Sequence, residues 1–373
     1  MMELRRDAET VAGSVDDEKT LAAYHAADAF FPFWISPTGR NPTGEEVAAA
    51  GASAEKALVI ARRIEDVNLQ SLALDALSST HQLESGGWRL SQQFAQQRLA
   101  FAERLSLPER IDAYSMVAWG ASLLGDLDEA DRASATGLAQ VQPGQVPAWT
   151  LHLVCWRAYA LTLLGRWDEA LSLAERARQL WIETGRHSAG YALRGFMSAI
   201  DIARARQDEA LLDTYAAVFD EISGAFLEGT TFHGWLGYGG RDLSAVARAV
   251  ELFEPGPFRQ MERVERGLSC LLDHDRPPSL EIAHRILSYR PGEFPLIEAQ
   301  ALRLIGRLNR DPSKLTEALG RLERARAIPY AARVRCERAL ITGDRDEMNA
   351  GLAVFQRLGD LQQLGRFERL AVG

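Results

Sequence analysis

The chain of 373 residues has three lysines, and none stands in a Gly-Lys-Ser or Gly-Lys-Thr setting: Lys19 follows Glu18, Lys56 follows Glu55 and Lys314 follows Ser313. A phosphate-cradling P-loop needs a lysine in that setting, so nucleotide hydrolysis of the P-loop kind is excluded. Cysteine is equally sparse. Cys155, Cys270 and Cys336 lie far apart with no Cys-x-x-Cys pair, which fits a reducing compartment and neither a disulfide framework nor a zinc site. The seven histidines (His25, His81, His152, His187, His233, His274 and His284) include no i, i+4 pair, the spacing that sets two metal ligands on one helix face. His152 and Cys155 share a face at i, i+3, but a metal would want further ligands, so packing is the reading. There is no Gly-x-Ser-x-Gly elbow, and neither metal, cofactor nor catalytic residue is expected. No stretch approaches the roughly 18 apolar residues of a membrane span, and the start, MMELRRDAETVAGSVDDEK, lacks the apolar core of a signal peptide. A cytoplasmic protein without a membrane partner is expected.

What the sequence has is an ordinary globular balance, 47% apolar and 25% charged, with a net charge of −9. Such a chain has no global basic field to draw it onto nucleic acid. The segment from Arg285 to Arg338 is richer in Arg, with twelve Lys or Arg against six Asp or Glu. Acids such as Glu298, Glu317, Glu323 and Glu337 interrupt it, so it reads as solvated helix faces.

The dominant feature is a repeat. Asp128-Glu129-Ala130, Asp168-Glu169-Ala170 and Asp208-Glu209-Ala210 recur at intervals of 40 residues, and a fixed period of that length marks a supersecondary unit. Each triplet follows a short turn (Gly125-Asp126, Gly165-Arg166, Ala205-Arg206) and precedes an apolar-periodic stretch. Helices should therefore begin there, with Asp128, Asp168 and Asp208 as N-caps. Upstream stretches such as PAWTLHLVCWRAYALTLLG have the i, i+3, i+4 spacing of a partner helix. Small residues fall at matched positions: Ala118, Ala158 and Ser198; Ala130, Ala170 and Ala210; Gly137, Ala177 and Ala217.

These residues resemble the tetratricopeptide pattern, in which small side chains let paired helices approach. The departures are the 40-residue period and the early aromatic position, which holds Tyr114, Val154 and Arg194 in turn. The resemblance implies an all-α fold, a right-handed superhelix of antiparallel helix pairs. Weaker units are expected at Gly86-Gly87-Trp88, Asp311-Pro312 and Gly343-Asp344, and Thr43 with Glu46 makes a capping box. A helix is expected from Asp16 to Phe31. The organisation reads as an N-terminal helix and Pro/Gly-rich loop (1–50), repeats (51–225), an irregular connection (226–278) and C-terminal helical repeats (279–373). The tail from Ala299 also looks like the C-terminal helical region of bacterial signalling regulators that carry a STAND-type ATPase and a class III cyclase or DNA-binding module. In those proteins that region is the sensor or partner-binding end.

Two candidate surfaces follow. Trp119, Trp156, Arg157, Tyr159 and Arg194 fall on the first helices of successive pairs, whose outer face lines the concave groove of tetratricopeptide arrays; Trp119 and Tyr159 are 40 apart and equivalent. Either they form inter-repeat core, or they are partly exposed anchors for a peptide or protein partner. The second surface is the glycine-aromatic stretch holding His233, Trp235 and Tyr238, which would suit a small effector or an ordinary turn. The sequence therefore favours a non-enzymatic interaction or sensor module, with a small-molecule-binding regulatory domain as the alternative and an α-helical enzyme behind both.

Overall fold

The structure is a computed structural model; residues 10–11, 17–31, 42–84, 86–186, 190–224, 243–253 and 261–372 are described. Among these every regular element is helical. Eighteen helices follow one another: α1 (Glu18–Ala29), α2 (Gly44–Arg63), α3 (Val67–Gln82), α4 (Trp88–Leu99), α5 (Leu107–Leu123), α6 (Leu127–Leu138), α7 (Pro147–Leu163), α8 (Trp167–Glu183), α9 (Leu193–Arg206), α10 (Glu209–Gly224), α11 (Leu243–Glu251), α12 (Met261–Asp273), α13 (Leu280–Ser288), α14 (Pro295–Leu308), α15 (Pro312–Arg324), α16 (Ile328–Thr342), α17 (Arg345–Leu358) and α18 (Leu361–Val372). No described helix is long and apolar enough to cross a membrane.

The helix ends follow from local chemistry. Thr43 and Glu46 form the expected capping box of α2, and Pro147, Pro295 and Pro312 open α7, α14 and α15, where a missing N–H costs nothing. One turn recurs: a residue with positive φ ends one helix and the next residue caps the following one. It occurs at Glu65-Asp66, Gly125-Asp126, Gln207-Asp208, Arg310-Asp311, Gly343-Asp344 and Gly359-Asp360. Except at Gly343-Asp344, where the Gly343 N–H reaches the Ala339 carbonyl instead, the turn closes with a bond from the aspartate N–H back to the carbonyl five residues earlier, as from Asp126 to Ala121 and from Asp208 to Ala203, which satisfies an orphan carbonyl of the ending helix.

This turn corrects the register of the repeat. Helices do begin beside each Asp-Glu-Ala triplet, but Asp126, not Asp128, caps α6 by accepting from the Glu129 N–H. Arg166 holds the capping position of α8, while Asp208 does cap α10 through the Leu211 N–H. The structural interval is thus 40 residues and then 42, so the third triplet is displaced by two positions. Ala130 and Ala170 are fully buried, whereas Ala210 and Ala217 are exposed. Their true counterparts are Leu212 and Phe219, both buried, and the early aromatic position is filled by Phe196 instead of Arg194.

The chain divides into two compact units, one over the described residues up to Gly120 and one from Ala121 onward; the division falls in the last turn of α5. In the first unit α1 to α4 pack on a core dominated by small side chains: Ala26, Ala29, Ala54, Ala57, Ala73 and Ala76 are at most 1% exposed. Arg98 is buried at its edge. It donates to Ser71 Oγ (2.9 Å) and pairs with Asp75 (2.6 Å), Glu109 (2.8 Å) and Asp112 (2.6 Å).

In the second unit consecutive helices from α6 to α10 and from α11 to α18 pack against one another, save that α12 packs on α14 and not on α13, and the two runs also meet: α9 packs on α18 and α7 on α16. Turn regions interlock there. Gly125 needs both its positive φ of 78° and its missing side chain, because a Cβ would lie 2.6 Å from Pro295 Cγ. Asp128 and Asp168, freed from capping, pair instead with Arg326 (2.6 Å) and Arg206 (2.8 Å). The stretch 226–278, expected to be an irregular connection, contains α11 and α12, and α12 is the most enclosed helix of the unit: all thirteen of its residues are buried.

Candidate functional site

Helix α12, MERVERGLSCLLD, has one apolar stripe in Met261, Val264, Leu268, Leu271 and Leu272, with charged or polar residues between. A helix with so much charge ordinarily keeps one face in water. Here each side is met by polar groups of a different helix. From α7, the Tyr159 hydroxyl donates to Glu265 Oε2 at 2.5 Å. From α9, Arg194 pairs with Glu262 at 2.8 Å, while Arg266 donates to the Arg194 carbonyl (3.1 Å) and Ser198 Oγ (3.0 Å) and pairs with Asp201 (2.9 Å). Arg263 donates to the Gly190 carbonyl at 2.9 Å. On the other side Arg303 of α14 grips Glu337 of α16 with two 2.7 Å bonds and reaches Asp273 at 2.7 Å. Arg333 of α16 pairs with Asp273 (3.2 Å) and donates to Ser269 Oγ (3.2 Å). Further out, Arg307 and Arg366 share Asp275 and Glu337, and Asp360 lies 3.5 Å from Arg333.

Rings complete the seat. The Arg194 guanidinium lies 4.2 Å from the Trp156 ring centre, and that of Arg266 lies 5.2 Å from Tyr159; Trp156 and Tyr159 meet edge to face at 5.9 Å. Such stacks hold a desolvated guanidinium in place.

The electrostatics follow from burial without full compensation. Burial pushes the Glu265 carboxyl up to about 7 even though Tyr159 donates to it. It also raises Asp360 to about 6 against the pull of Arg333 and depresses Arg263 to about 9. Asp273 and Glu337 go the other way. Burial opposes their ionisation, but flanking guanidiniums outweigh it and hold both below the ordinary carboxylate range. Burial raises the thiols too, Cys155 and Cys336 to about 12 and Cys270 to about 11, so they stay protonated and non-nucleophilic at neutral pH. His274 Nδ1 lies 2.8 Å from the Cys270 carbonyl and Nε2 lies 3.0 Å from Gln362 Nε2. Both ring nitrogens are thus engaged.

A small cavity opens where the C-terminal end of α12 faces α7, α9, α16 and α18. Its walls carry Arg204, Arg266 and Arg333 against Asp201 and Asp273, with Trp167 and Ile202 among the ring and apolar surfaces.

The groove residues expected from the sequence are brought together only in part. Trp156, Tyr159 and Arg194 do converge, but on α12. Trp156 and Tyr159 are 0% exposed and Arg194 is 7% exposed, so of the two alternatives they are core and not partly open anchors, because a helix of the same chain covers them. Arg157 points elsewhere, pairing with Asp131 of α6 at 2.9 Å. Trp119 belongs to the first unit, half-buried against Trp88 with ring centres 5.3 Å apart. His152 accepts from Trp156 Nε1 at 3.0 Å, and Cys155 Sγ lies 3.6 Å from the Ala192 carbonyl. His233, Trp235 and Tyr238 lie outside the described residues. Sequence reasoning missed α12 itself. Its signal was the apolar stripe at i, i+3, i+7, i+10 and i+11 from Met261, masked by the flanking Pro-Gly-Pro and Pro-Pro signals. No protein-family model matches the chain, and no curated protein matches it in sequence.

Proposed function

We propose that the chain is a binding module, not a catalyst, and that the second unit is a tetratricopeptide-like array whose inner face receives a helical polypeptide segment. The observation that carries this reading is the seat of α12: a helix bearing Glu262, Arg263, Glu265, Arg266, Ser269 and Asp273 is buried at every position by long polar side chains from α7, α9, α14 and α16. Those residues form the charged, hydrogen-bonded grip by which helical arrays hold peptides, and α12 is its occupant. Raised thiols and a doubly engaged His274 leave the surrounding side chains better suited to holding than to proton or acyl transfer. A partner would be an amphipathic helix carrying an acidic residue for Arg194 and a hydrogen-bond acceptor for Tyr159. In the setting of a signalling regulator, such a seat would serve as the partner-sensing end.

The test uses a fluorescent peptide of residues 261–273 and the full chain carrying Glu262→Arg, which loosens its own α12 by facing Arg194 with a like charge. The peptide is expected to bind this variant at least about tenfold tighter than the unaltered chain, whose seat is occupied. Adding Arg194→Glu restores the pair within the chain in reversed polarity, so its own α12 should re-seat and exclude both the parent peptide and one carrying Glu262→Arg. Absence of binding to a Glu262→Arg chain that keeps its helical circular dichroism would overturn the proposal, since α12 would then be ordinary core.

A further inference from the structure

We propose that the Glu265 carboxyl, enclosed with the Tyr159 and Tyr330 hydroxyls, is a pH-sensitive latch on α12: it holds the helix in its seat while protonated and loosens it once ionised. The inference rests on the reading that α12 is an exchangeable occupant of that seat. The first argument is the uneven treatment of the acids of α12. Glu262 has the Arg194 guanidinium at 2.8 Å, and Asp273 has Arg303 at 2.7 Å and Arg333 at 3.2 Å. Glu265, 2% exposed, has instead the Tyr159 hydroxyl at 2.5 Å from Oε2. The Tyr330 hydroxyl of α16 also approaches the carboxyl, yet Oε1 is without a hydrogen bond among the described residues. A carboxylate buried with one bare oxygen and no bonded cation is costly, and the neutral acid is far less so.

The second argument is that the surrounding charges are committed elsewhere. From α9, Arg194 holds Glu262 and Asp201 holds Arg266, which also bonds the Arg194 carbonyl and Ser198 Oγ. From α14, Arg303 is divided between Asp273 and Glu337, and from α16, Arg333 between Asp273 and Asp360. Arg263 donates to the Gly190 carbonyl, α7 brings the uncharged Tyr159 donor, and the buried residues of α11 are the apolar Leu243, Val246 and Val250. Burial accordingly pushes the Glu265 carboxyl up to about 7 against the pulls of Tyr159, Arg266 and Tyr330. Released from the seat, it returns toward its ordinary value of 4.5. Between those values opening sheds a proton, so each pH unit favours the open state by up to about tenfold, and above about 7 the gain is constant. Glu265 lies near the middle of α12, against α7 of one run and α16 of the other, so its charge acts on both walls of the seat.

The test is amide hydrogen exchange of the full chain without added peptide, read by mass spectrometry on fragments from α12 and α17 between about pH 5.5 and 8 and corrected for the intrinsic exchange rate. The open population of α12 should rise at least about tenfold relative to α17 between about pH 5.5 and 7.5 and then level off. Glu265→Gln, which stays neutral, should remove the rise and keep α12 protected at the alkaline end. Tyr159→Phe, which withdraws the donor that favours the ionised form, should move the levelling point above that of the parent and provides the test if Glu265→Gln does not fold. A flat profile in the parent, a rise shared equally by α17, a rise that persists in Glu265→Gln, or a levelling point lowered by Tyr159→Phe would overturn the latch. The readout needs no peptide, so the two failures are distinct. A pH-dependent α12 that never admits the peptide sinks the exchange reading, and a peptide that binds beside a flat profile sinks the latch.

Discussion

The two units bury arginine in opposite ways. In the first, Arg98 is a single cation set among three carboxylates, and the surplus is negative: burial pushes the Asp75 carboxyl up, with Asp112 and Glu109 adding to the rise against the pull of Arg98. The side chains of Asp75, Glu109 and Asp112 remain 14–25% exposed, so water shares the load. In the second, several guanidiniums share each carboxylate and both partners are enclosed, Glu337 and Asp273 being 3% and 7% exposed beside a fully buried Arg303. One arrangement closes the edge of an alanine-lined core. The other builds a polar interior around a helix, at a desolvation cost that folding alone does not require.

The sharpest way to break this comparison is to remove the cation from each. Arg303→Met should strip Glu337 and Asp273 of their 2.7 Å pairs, leaving them only the longer contacts to Arg307, Arg366 and Arg333 at 3.2–3.4 Å, and cost up to about 3–5 kcal/mol, the magnitude for breaking an enclosed pair. Arg98→Met should cost clearly less, because its three carboxylates can rehydrate. Urea unfolding of both variants measures this. Equal losses would show that the two sites differ only in appearance.

A second comparison uses pH. Glu265 titrates at about 7 in the fold against an ordinary value of 4.5. Between those values the unfolded chain releases its proton while the folded one keeps it, so the Glu265 contribution to stability falls as pH rises from about 4.5 to 7 and is then constant. The span corresponds to roughly 3 kcal/mol. Glu265→Gln keeps an acceptor for Tyr159 and removes the charge, so thermal melts should show the variant matching the parent near pH 4.5 and exceeding it near pH 8. The lowered carboxylates Asp273 and Glu337 work in the opposite sense, losing stability at more acid pH, and cancel in the difference. In the first unit Asp75→Asn should shift stability the same way but less, since it also gives up a 2.6 Å pair with Arg98. If Glu265→Gln is the less stable protein at pH 8, the carboxyl is ionised in its seat.

The fold was legible where local chemistry decides it and illegible where long-range packing does. Thr43 and Asp311 each cap the helix their spacing indicates, because a cap needs only three or four residues of context. That Tyr159 and Arg194 fall on first helices of pairs, where a further element can pack, was legible from the repeat. That the element would be α12 was not, since its partners lie up to 106 residues away, as Glu265 does from Tyr159, and its proline-flanked sequence looks like loop. The surface role of the Arg-rich segment was misread for the same reason: Arg303 and Arg333 point inward, and only the contacts with Asp273 reveal it.

The smallest effect probes packing in both units and fixes the repeat register. A sequence period of 40 places Ala210 at the helix crossing occupied by Ala130 and Ala170, whereas the capping geometry puts Leu212 there. Ala54 in the first unit and Ala170 in the second are both 0% exposed, so added methylenes would have no room. Ala54→Leu and Ala170→Leu should each overpack by about 1–3 kcal/mol. Ala210→Leu, on an exposed first turn, should stay within about 0.5 kcal/mol of the parent. Chemical denaturation of the three variants separates the alternatives: a loss at Ala210 equal to that at Ala170 would restore the strict 40-residue register. A cost at Ala54 matching that at Ala170 would show that the units share one mode of helix approach and differ in how they bury charge.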